Sequence, residues 1–471
     1  MAQFANTWRG LLLLTAGVLG AVVLAGCERS DSPRRRPHPN VLLITLDTTR
    51  ADHLGCYGYA RATSPNLDRL AAEGTRFTDA MTQAAVTPVS HASILTGQNP
   101  YRHGLRVMHG RRQNRLRKSC VTLAEMLRDA GYQTAAFVSA FPVTRRFGLD
   151  QGFATFDQEF IIDAPEAIVS GTGVVNTNKN QRRADGTSDR AIRWLGGARE
   201  PFFLWLHYFD PHDIKLLPPR AFVREHARGG DTPEAQLRDL YDVEILYMDL
   251  QIGRVLDALR GAGRFDDTII VVTSDHGEGL GDHDWWTHGI LYQEQVHAPL
   301  IFRGPGVPAG REVDVLARTT DIMPTVLDLA GVAPGRRPRM DGRSLVDLWQ
   351  PQAVDPHRAA YADSLNMLTY QTPAGTADRK NDMLFVLREG RWKYIHHLLR
   401  PAASELYDLL ADPHEAVNLI DSHGEIAAKM RAALRARGCF PRGRSGTEAM
   451  SAEDEARLRS LGYLTDTQPA P

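Results

Sequence analysis

The chain has 471 residues, enough at roughly 150 residues per domain for two or three domains, or for one large α/β domain with an appendage. Hydrophobic residues make up 43% and charged residues 24%, which excludes wholesale disorder. Lys plus Arg is 55 against 56 Asp plus Glu, a net charge of −1, and so excludes the one-signed basic field that nucleic-acid binding requires. Forty Gly and 27 Pro suit a loop-rich enzyme, and four Cys are too few for a disulfide scaffold or a four-thiolate metal site.

In chain order, Arg9 precedes the uncharged run Gly10 to Gly26, which ends Leu24-Ala25-Gly26-Cys27. A basic flank, an apolar centre and a small-residue end read as a secretory signal too short to span a bilayer comfortably. The Cys after Leu-Ala-Gly resembles the lipobox of bacterial lipoproteins, in which that Cys is acylated and becomes the mature N-terminus. A plain signal peptide or a short anchor helix is the competing reading. By analogy with such proteins, Glu28 in place of Asp carries no inner-membrane retention signal, so the expectation is an exported lipoprotein on the periplasmic side of the outer membrane. Residues 28 to 40 are polar and Arg- and Pro-rich, as a tether would be. Of Cys56, Cys120 and Cys439, one pair has the chance to bridge, and sequence does not say which.

From residue 41 the pattern is α/β. Val41 to Leu46, Phe202 to Leu206 and Ile269 to Thr273 are short apolar runs suited to strands buried on both faces of a parallel sheet. Helical stretches lie between them, at Leu123 to Ala130, Ala191 to Leu195 and Ala235 to Leu259. The expected fold is an open, mostly parallel central sheet with helices on both faces, plus a smaller C-terminal α+β subdomain. The expected boundaries are a signal peptide at 1–26, a tether at 27–39, a catalytic domain at 40–332 and a connector at 333–355. A C-terminal subdomain at 356–438 and a tail at 439–471 complete the chain. In the subdomain, Met383 to Leu387 and Trp392 to His396 flank Glu389-Gly390 as a hairpin, and Ile426 to Arg437 reads as a helix packed on it.

Open sheets of this kind bind ligands at the carboxyl ends of their strands. Here the three apolar runs hand over to Asp47, to His207, Asp210 and His212, and to Asp275 and His276. A carboxylate facing a low-dielectric sheet is costly unless a cation compensates it, and Asp47, Asp275 and His276 are donors suited to a divalent ion. Taken singly, each also suits a helix cap or a turn. Residues 86 to 97 place Thr87 before a Pro at the start of a helix, where positive potential favours an alkoxide and any anion held there. A simple cap is the plainer reading of that hydroxyl.

With these pieces assembled, the chain resembles the sulfatase family of the alkaline-phosphatase superfamily, from about Asn40 to Val332 and again from Arg388. The resemblance rests on NVLLITLDTTRADHLGCYGY, SHASILTG, RHG at 102–104, TLAEMLRDAGYQTAAFV, HYFDPH, SDHGEGLGDH, PLIFRGPG, REGRWKYI and ELYDLLADPHEAVNL. It implies a divalent metal held by Asp47, Asp275, His276 and Thr87: calcium or magnesium if sulfatase-like, zinc or manganese if phosphodiesterase-like. It also implies a small anionic sulfate or phosphate ester as substrate.

The departures are chemical. Sulfatases usually carry a Cys or Ser followed by x-Pro-x-Arg and oxidise it to formylglycine; here Thr87 stands at that position and His91 stands where the Arg would be. Oxidation of Thr would give a ketone, so no formylglycine is expected. Thr48 replaces the second Asp of the usual pair, and Phe137-Val138-Ser139-Ala140-Phe141 replaces a Lys-Trp-His segment. A Thr nucleophile instead resembles the phosphodiesterase and nucleotide-pyrophosphatase branch, in which a metal-activated hydroxyl attacks phosphorus in line and water then hydrolyses the phospho-threonine. A sulfated Thr lacks an equally easy exit.

His212 resembles the substrate-contacting His of the family, and His288 falls where a sulfatase Lys often meets the anionic group. The catalytic set expected from these comparisons is therefore Thr87, His91, His212 and His288. Asp210, His212 and His288 are alternatively a second-ion site. Arg50 and Asp52, with Glu278 and His283, are candidates for orienting the ligands, while His207 reads equally as a satisfied strand-end histidine. His103 and His297 read as structural. A transferase or a catalytically silent binding protein of the same family remains the alternative, and oligomeric state is not readable.

Overall fold

The computed structural model describes residues 38–108, 114–160, 180–212, 216–350, 355, 358–365, 371–372, 375–376, 382–441 and 451–460. The expected signal peptide, Cys27 and the tether up to residue 37 lie outside the described residues. Among the described residues no helix is long and apolar enough to cross a membrane.

The strands, in chain order, are β1 (Asn40–Leu46), β2 (Thr75–Phe77), β3 (Ala80–Met81), β4 (Gln133–Val138), β5 (Thr155–Asp157) and β6 (Phe202–Tyr208). There follow β7 (Thr268–Ser274), β8 (Leu300–Arg303), β9 (Arg311–Val313) and β10 (Ala317–Arg318). The C-terminal part contributes β11 (Ala359–Ser364), β12 (Gln371–Thr372), β13 (Gly375–Thr376), β14 (Leu384–Glu389), β15 (Trp392–His397) and β16 (Glu405–Asp408). Eight strands form the main sheet in the order β5-β4-β6-β1-β7-β8-β2-β9. All neighbours in it run parallel except β8, which is antiparallel to β7 and to β2.

The three apolar runs are the central strands β6, β1 and β7, and every residue of each is buried. Alternate side chains feed two cores. Leu43, Trp205 and Val271 point to one face, with Val89, Ala92 and Leu95 of the helix Thr87–Thr96. Leu42, Leu204 and Ile270 point to the other, with Ile245, Ile252 and Val255 of the helix Pro233–Gly261. Each fully buried Leu, Ile, Val or Phe contributes about 1.5–3 kcal/mol relative to exposure, so this sheet is a rigid platform for whatever sits at its strand ends.

One helix shows no amphipathic period, and another is longer than the sequence pattern indicates. The helix Thr87–Thr96 is buried at all ten positions, so it has no polar face to mark its period, and it stops where Gly97 adopts φ 64°. The helix Ala184–Leu195 begins seven residues before Ala191 because Asp210 Oδ1, from a distant turn, accepts the Ala184 N–H at 2.9 Å.

The four-stranded antiparallel sheet has the order β11-β14-β15-β16 and realises the expected hairpin between β14 and β15. One face, with Ala360, Val386 and Ile395, packs on Trp285, Ile290 and Leu291. The other, with Phe385 and Tyr394, packs on Ala427, Met430 and Leu434 of the helix Gly424–Ala436. Cys56, Cys120 and Cys439 are all free thiols.

Candidate active site

Asp47 and Asp275 follow directly on β1 and β7, which are paired side by side with Leu46 opposite Ser274. The parallel register therefore delivers both carboxylates to one spot at the carboxyl edge of the sheet. The turn after Asp47 is tight: Thr48 has φ 49°, a left-handed conformation unfavourable for a β-branched residue. What holds it is local bonding. Thr48 N donates to Asp275 Oδ1 at 3.1 Å, and the buried Tyr241 hydroxyl donates to Thr48 O at 2.7 Å while accepting from Arg50 N at 2.9 Å.

Asp47, Asp275 and His276 each bring a ligand atom to within 4.8 Å of the others, and all three are fully buried. The hydrogen bonds fix which atoms face inward. His276 Nδ1 lies 2.9 Å from Gly277 O, a carbonyl that only accepts, so Nδ1 carries the proton and Nε2 presents a lone pair. Asp275 Oδ1 accepts from Thr48 N and His276 N, leaving Oδ2 buried without a hydrogen bond, 3.4 Å from His276 Nε2. Asp47 Oδ2 lies 2.9 Å from His207 Nε2, and Oδ1 is buried without a hydrogen bond. Three buried acceptor atoms thus converge, faced by the Thr87 hydroxyl and by His91 Nδ1, which lies 3.5 Å from Asp275 Oδ2. Such a cluster is costly unless a cation fills it, and carboxylate oxygens with an imidazole nitrogen are a fitting donor set for a divalent ion.

The electrostatics agree. Burial, then the nearby charges of Asp275 and Glu278, raises Asp47 well above the usual carboxylate range. Burial also raises Asp275 to about 8 and Glu278 to about 8, while it holds His276 well below the usual histidine range. The Thr87 hydroxyl lies near enough to both aspartates to lower them against that rise. Thr87 is the first residue of its helix, and Thr87 Oγ1 lies 3.2 Å from His276 Nε2. One turn on, Ser90 Oγ donates to Asp275 O at 2.6 Å and pins that helix to the end of β7.

The structure therefore brings together Asp47, Thr87, Asp275 and His276, as the sequence indicated. His288 joins them: its ring centroid is 4.4 Å from that of His276, its Nδ1–H donates to Ala85 O at 3.0 Å, and burial lowers it to about 4. His288 Nε2 is consequently bare and lies 3.2 Å from His212 Nε2, so the proton between them sits on His212. His212 also stacks on Phe209 at 4.2 Å.

Three expectations need correction. His91, expected at the position of an Arg, is held among backbone and cluster groups, with Nδ1 3.5 Å from Asp275 Oδ2. Its Nδ1 donates to Thr87 O at 2.8 Å and its Nε2 accepts from Thr45 Oγ1 at 3.0 Å, so both nitrogens are used and the ring, lowered to about 4 by burial, props the first turn of the helix. Asp210 is committed to the N-terminus of the helix Ala184–Leu195, and among the described residues Asp210, His212 and His288 form no second three-ligand cluster. Arg50 and His283 do not touch the ligands. Arg50 instead pairs with Asp52 and Asp282, each at 2.7 Å, joining the loop after β1 to the loop after β7. His283 stacks on Tyr292 at 3.8 Å and bonds Glu294 and Glu415, so it ties that loop to the C-terminal region. A cavity of about 1000 Å³ beside Arg50, Asp282, Arg388 and Arg391 is lined by none of the clustered residues.

Sequence reasoning missed Thr45, Ser139 and Tyr241 and left His207 undecided. A signal existed for two of them. Thr45 and His207 are single polar residues inside apolar runs, they face each other across β1 and β6, and Thr273 continues the row on β7. Lone polar positions aligned across buried strands mark a face that carries something polar.

An open α/β sheet with a cation-competent carboxylate and imidazole cluster at its strand ends is the class defined so far. The sulfatase family profile matches residues 39–332, and a profile described as the N-sulphoglucosamine sulphohydrolase C-terminal part matches residues 281–437. The chain belongs to the sulfatase family. It is 26% identical over 449 residues to a sulfatase of Formosa agariphila, covering 83% of this chain and 85% of that protein. It is 28% identical over 480 residues to the multifunctional alkaline phosphatase superfamily protein PehA of Trinickia caryophylli, covering 81% of this chain and 91% of that protein. A crystal structure of the phosphonate monoester hydrolase of Agrobacterium radiobacter shares the fold, with a TM-score of 0.65 at 24% identity over 85% of this chain and 95% of that one.

Proposed function

We propose that the chain is a metal-dependent hydrolase of sulfate, phosphate or phosphonate esters with Thr87 as its nucleophile, and that phosphorus esters are the better substrates. The observation that carries this reading is the convergence of a carboxylate oxygen from each of Asp47 and Asp275 with the His276 imidazole in one buried cluster, Thr87 Oγ1 lying 3.2 Å from His276 Nε2. Its family membership and the printed activities of relatives, sulfatases and a phosphonate monoester hydrolase among them, support an ester hydrolase. A divalent cation bound there supplies a Lewis acid that acidifies the adjacent hydroxyl and offsets the two aspartates.

The side chains then divide the work. Thr87 Oγ, its proton lost to solvent, would attack phosphorus; the Oγ–P bond forms as the bond to the leaving oxygen breaks. Protonated on both nitrogens, His212 would keep its Nε2–H on His288 and give its Nδ1 proton to the leaving alkoxide, recovering one from the water that cleaves the phospho-threonine. The sheet and Ser90 hold the nucleophile still, so little is spent on orientation. Among the described residues no Arg or Lys side chain joins the cluster, and the neutral imidazoles of His276 and His288 beside a bound cation would suit a singly charged ester.

The leader supports export as a lipoprotein, acylated at Cys27 and held on the periplasmic side of the outer membrane. A side-by-side assay of p-nitrophenyl sulfate, bis-p-nitrophenyl phosphate and p-nitrophenyl phenylphosphonate, with a metal titration, tests the chemistry. Turnover of the phosphorus esters above the sulfate is expected; turnover of sulfate alone defeats the Thr–phosphorus reading.

A further inference from the structure

His207 lies in β6, directly opposite Thr45 of β1, with its ring entirely buried. A buried histidine here needs a reason, because its neighbours are Trp205 and Phe209 and an apolar ring would fill the same space. Its two nitrogens are assigned by their partners. Ser139 N, a backbone donor, points at Nδ1 from 3.2 Å, so Nδ1 is the acceptor and Nε2 carries the proton. That Nε2–H faces Asp47 Oδ2 at 2.9 Å. Ser139 is itself fixed, its hydroxyl donating to His207 O at 2.6 Å, and His91 closes the other side edge-on at 5.0 Å. The ring has one orientation and one tautomer.

We propose that His207 is a positioning residue for the cation site: by holding Asp47 Oδ2 in a hydrogen bond it fixes the rotation of the carboxylate and leaves Oδ1 as its principal ligand atom. The inference rests on the reading of Asp47 as a ligand and goes beyond it, because no resemblance or motif assigns His207 a role. Without the Nε2–H bond the carboxylate rotates freely about its last torsion, and the converging geometry has to be assembled at the moment of binding. Outer groups that hold a ligand in this way are typically worth about 10–100-fold in metal affinity.

Two amide substitutions separate the ring's two bonds. In His207→Gln the longer amide reaches Asp47 Oδ2 with an N–H in the place of Nε2–H. In His207→Asn the shorter amide accepts from Ser139 N but falls short of Asp47. The full chain and these variants, with Asp47→Asn as reference, are titrated calorimetrically with Mn²⁺, Zn²⁺, Ca²⁺ and Mg²⁺ in turn, and the metal-induced rise in Tm is recorded beside the metal-free Tm. The expected pattern is a loss of about 10–100-fold in affinity for His207→Asn, with His207→Gln close to the parent. Equal affinities for His207→Asn and the parent, with Asp47→Asn impaired, overturn the positioning role and leave the site intact. Undiminished binding by Asp47→Asn overturns the ligand reading on which it rests. Should His207→Asn fail to fold, His207→Phe, which keeps the ring volume and loses both bonds, takes its place with the same expectation.

Discussion

Thr87 Oγ1 and His276 Nε2 are 3.2 Å apart, although they are separated by 189 residues and arrive on a helix start and a strand end. The imidazole cannot donate there, because its proton is held by Gly277 O, so the hydroxyl is oriented by an acceptor and sits against two carboxylates. A nucleophile is expected from that position. Thr87→Ala should lower turnover by about 10³-fold or more while leaving the metal-free Tm nearly unchanged, and Thr87→Ser should keep part of the activity. Rates on a phosphorus ester, with circular dichroism of each variant, check this; full activity in Thr87→Ala contradicts it.

Metal binding should release protons. Burial holds Asp275 at about 8 and Asp47 well above its usual range, so near pH 7 the metal-free cluster retains a proton that a cation displaces. Affinity therefore rises with pH through about 8, and calorimetry in buffers of different ionisation enthalpy should show net proton release.

Stability of the metal-free protein should respond in the opposite sense. Above about 6.5 the lowered His91 and His288 are neutral in the folded chain and increasingly so in the unfolded one, whereas the raised carboxyls bind protons only in the folded state. The folded state then binds more protons, so stability falls as pH rises from 6.5 to 8. Below 6.5 the lowered His91 and His288 act the other way, because unfolding lets them take up protons as the pH drops toward 4. Chelator-treated protein should show these trends in Tm, and saturating metal should abolish the fall above 6.5.

Lys393 and Glu415 form a fully buried ion pair at 2.7 Å, and Glu415 Oε2 accepts from Gln293 N at 2.6 Å. The pair joins β15 to the segment that follows the site loop. Lys393→Ala leaves a carboxylate buried alone and should cost about 3–5 kcal/mol, whereas Lys393→Met with Glu415→Gln should cost much less. Chemical denaturation of the two variants distinguishes them.

The anchor has its own test. Cys27→Ala should release the protein from the membrane fraction of its host, and continued fractionation with membranes rules out acylation at that residue.

Much of this was legible in the sequence because it rests on local pattern. Apolar runs that stop at Asp47 and at Asp275-His276 revealed both the parallel sheet and the ligand edge, since buried strands cannot tolerate such residues without a purpose. What stayed hidden depends on distant partners. His91 looked like a stand-in for a cation, and only the approach of Thr45 across the fold consumes its second nitrogen. Asp210 looked like a ligand, yet the start of the helix Ala184–Leu195 claims it. His207 was left undecided at the strand end, and its partner across the sheet is Asp47, one of the clustered carboxylates.

The central claim, that Asp47, Thr87, Asp275 and His276 surround one cation, is tested most directly by anomalous diffraction from crystals grown with Mn²⁺ or Zn²⁺. One peak is expected at about 2.0–2.6 Å from Asp47 Oδ1, Asp275 Oδ2 and His276 Nε2, with Thr87 Oγ1 turned toward it. A metal-saturated crystal with no peak among those atoms contradicts the account.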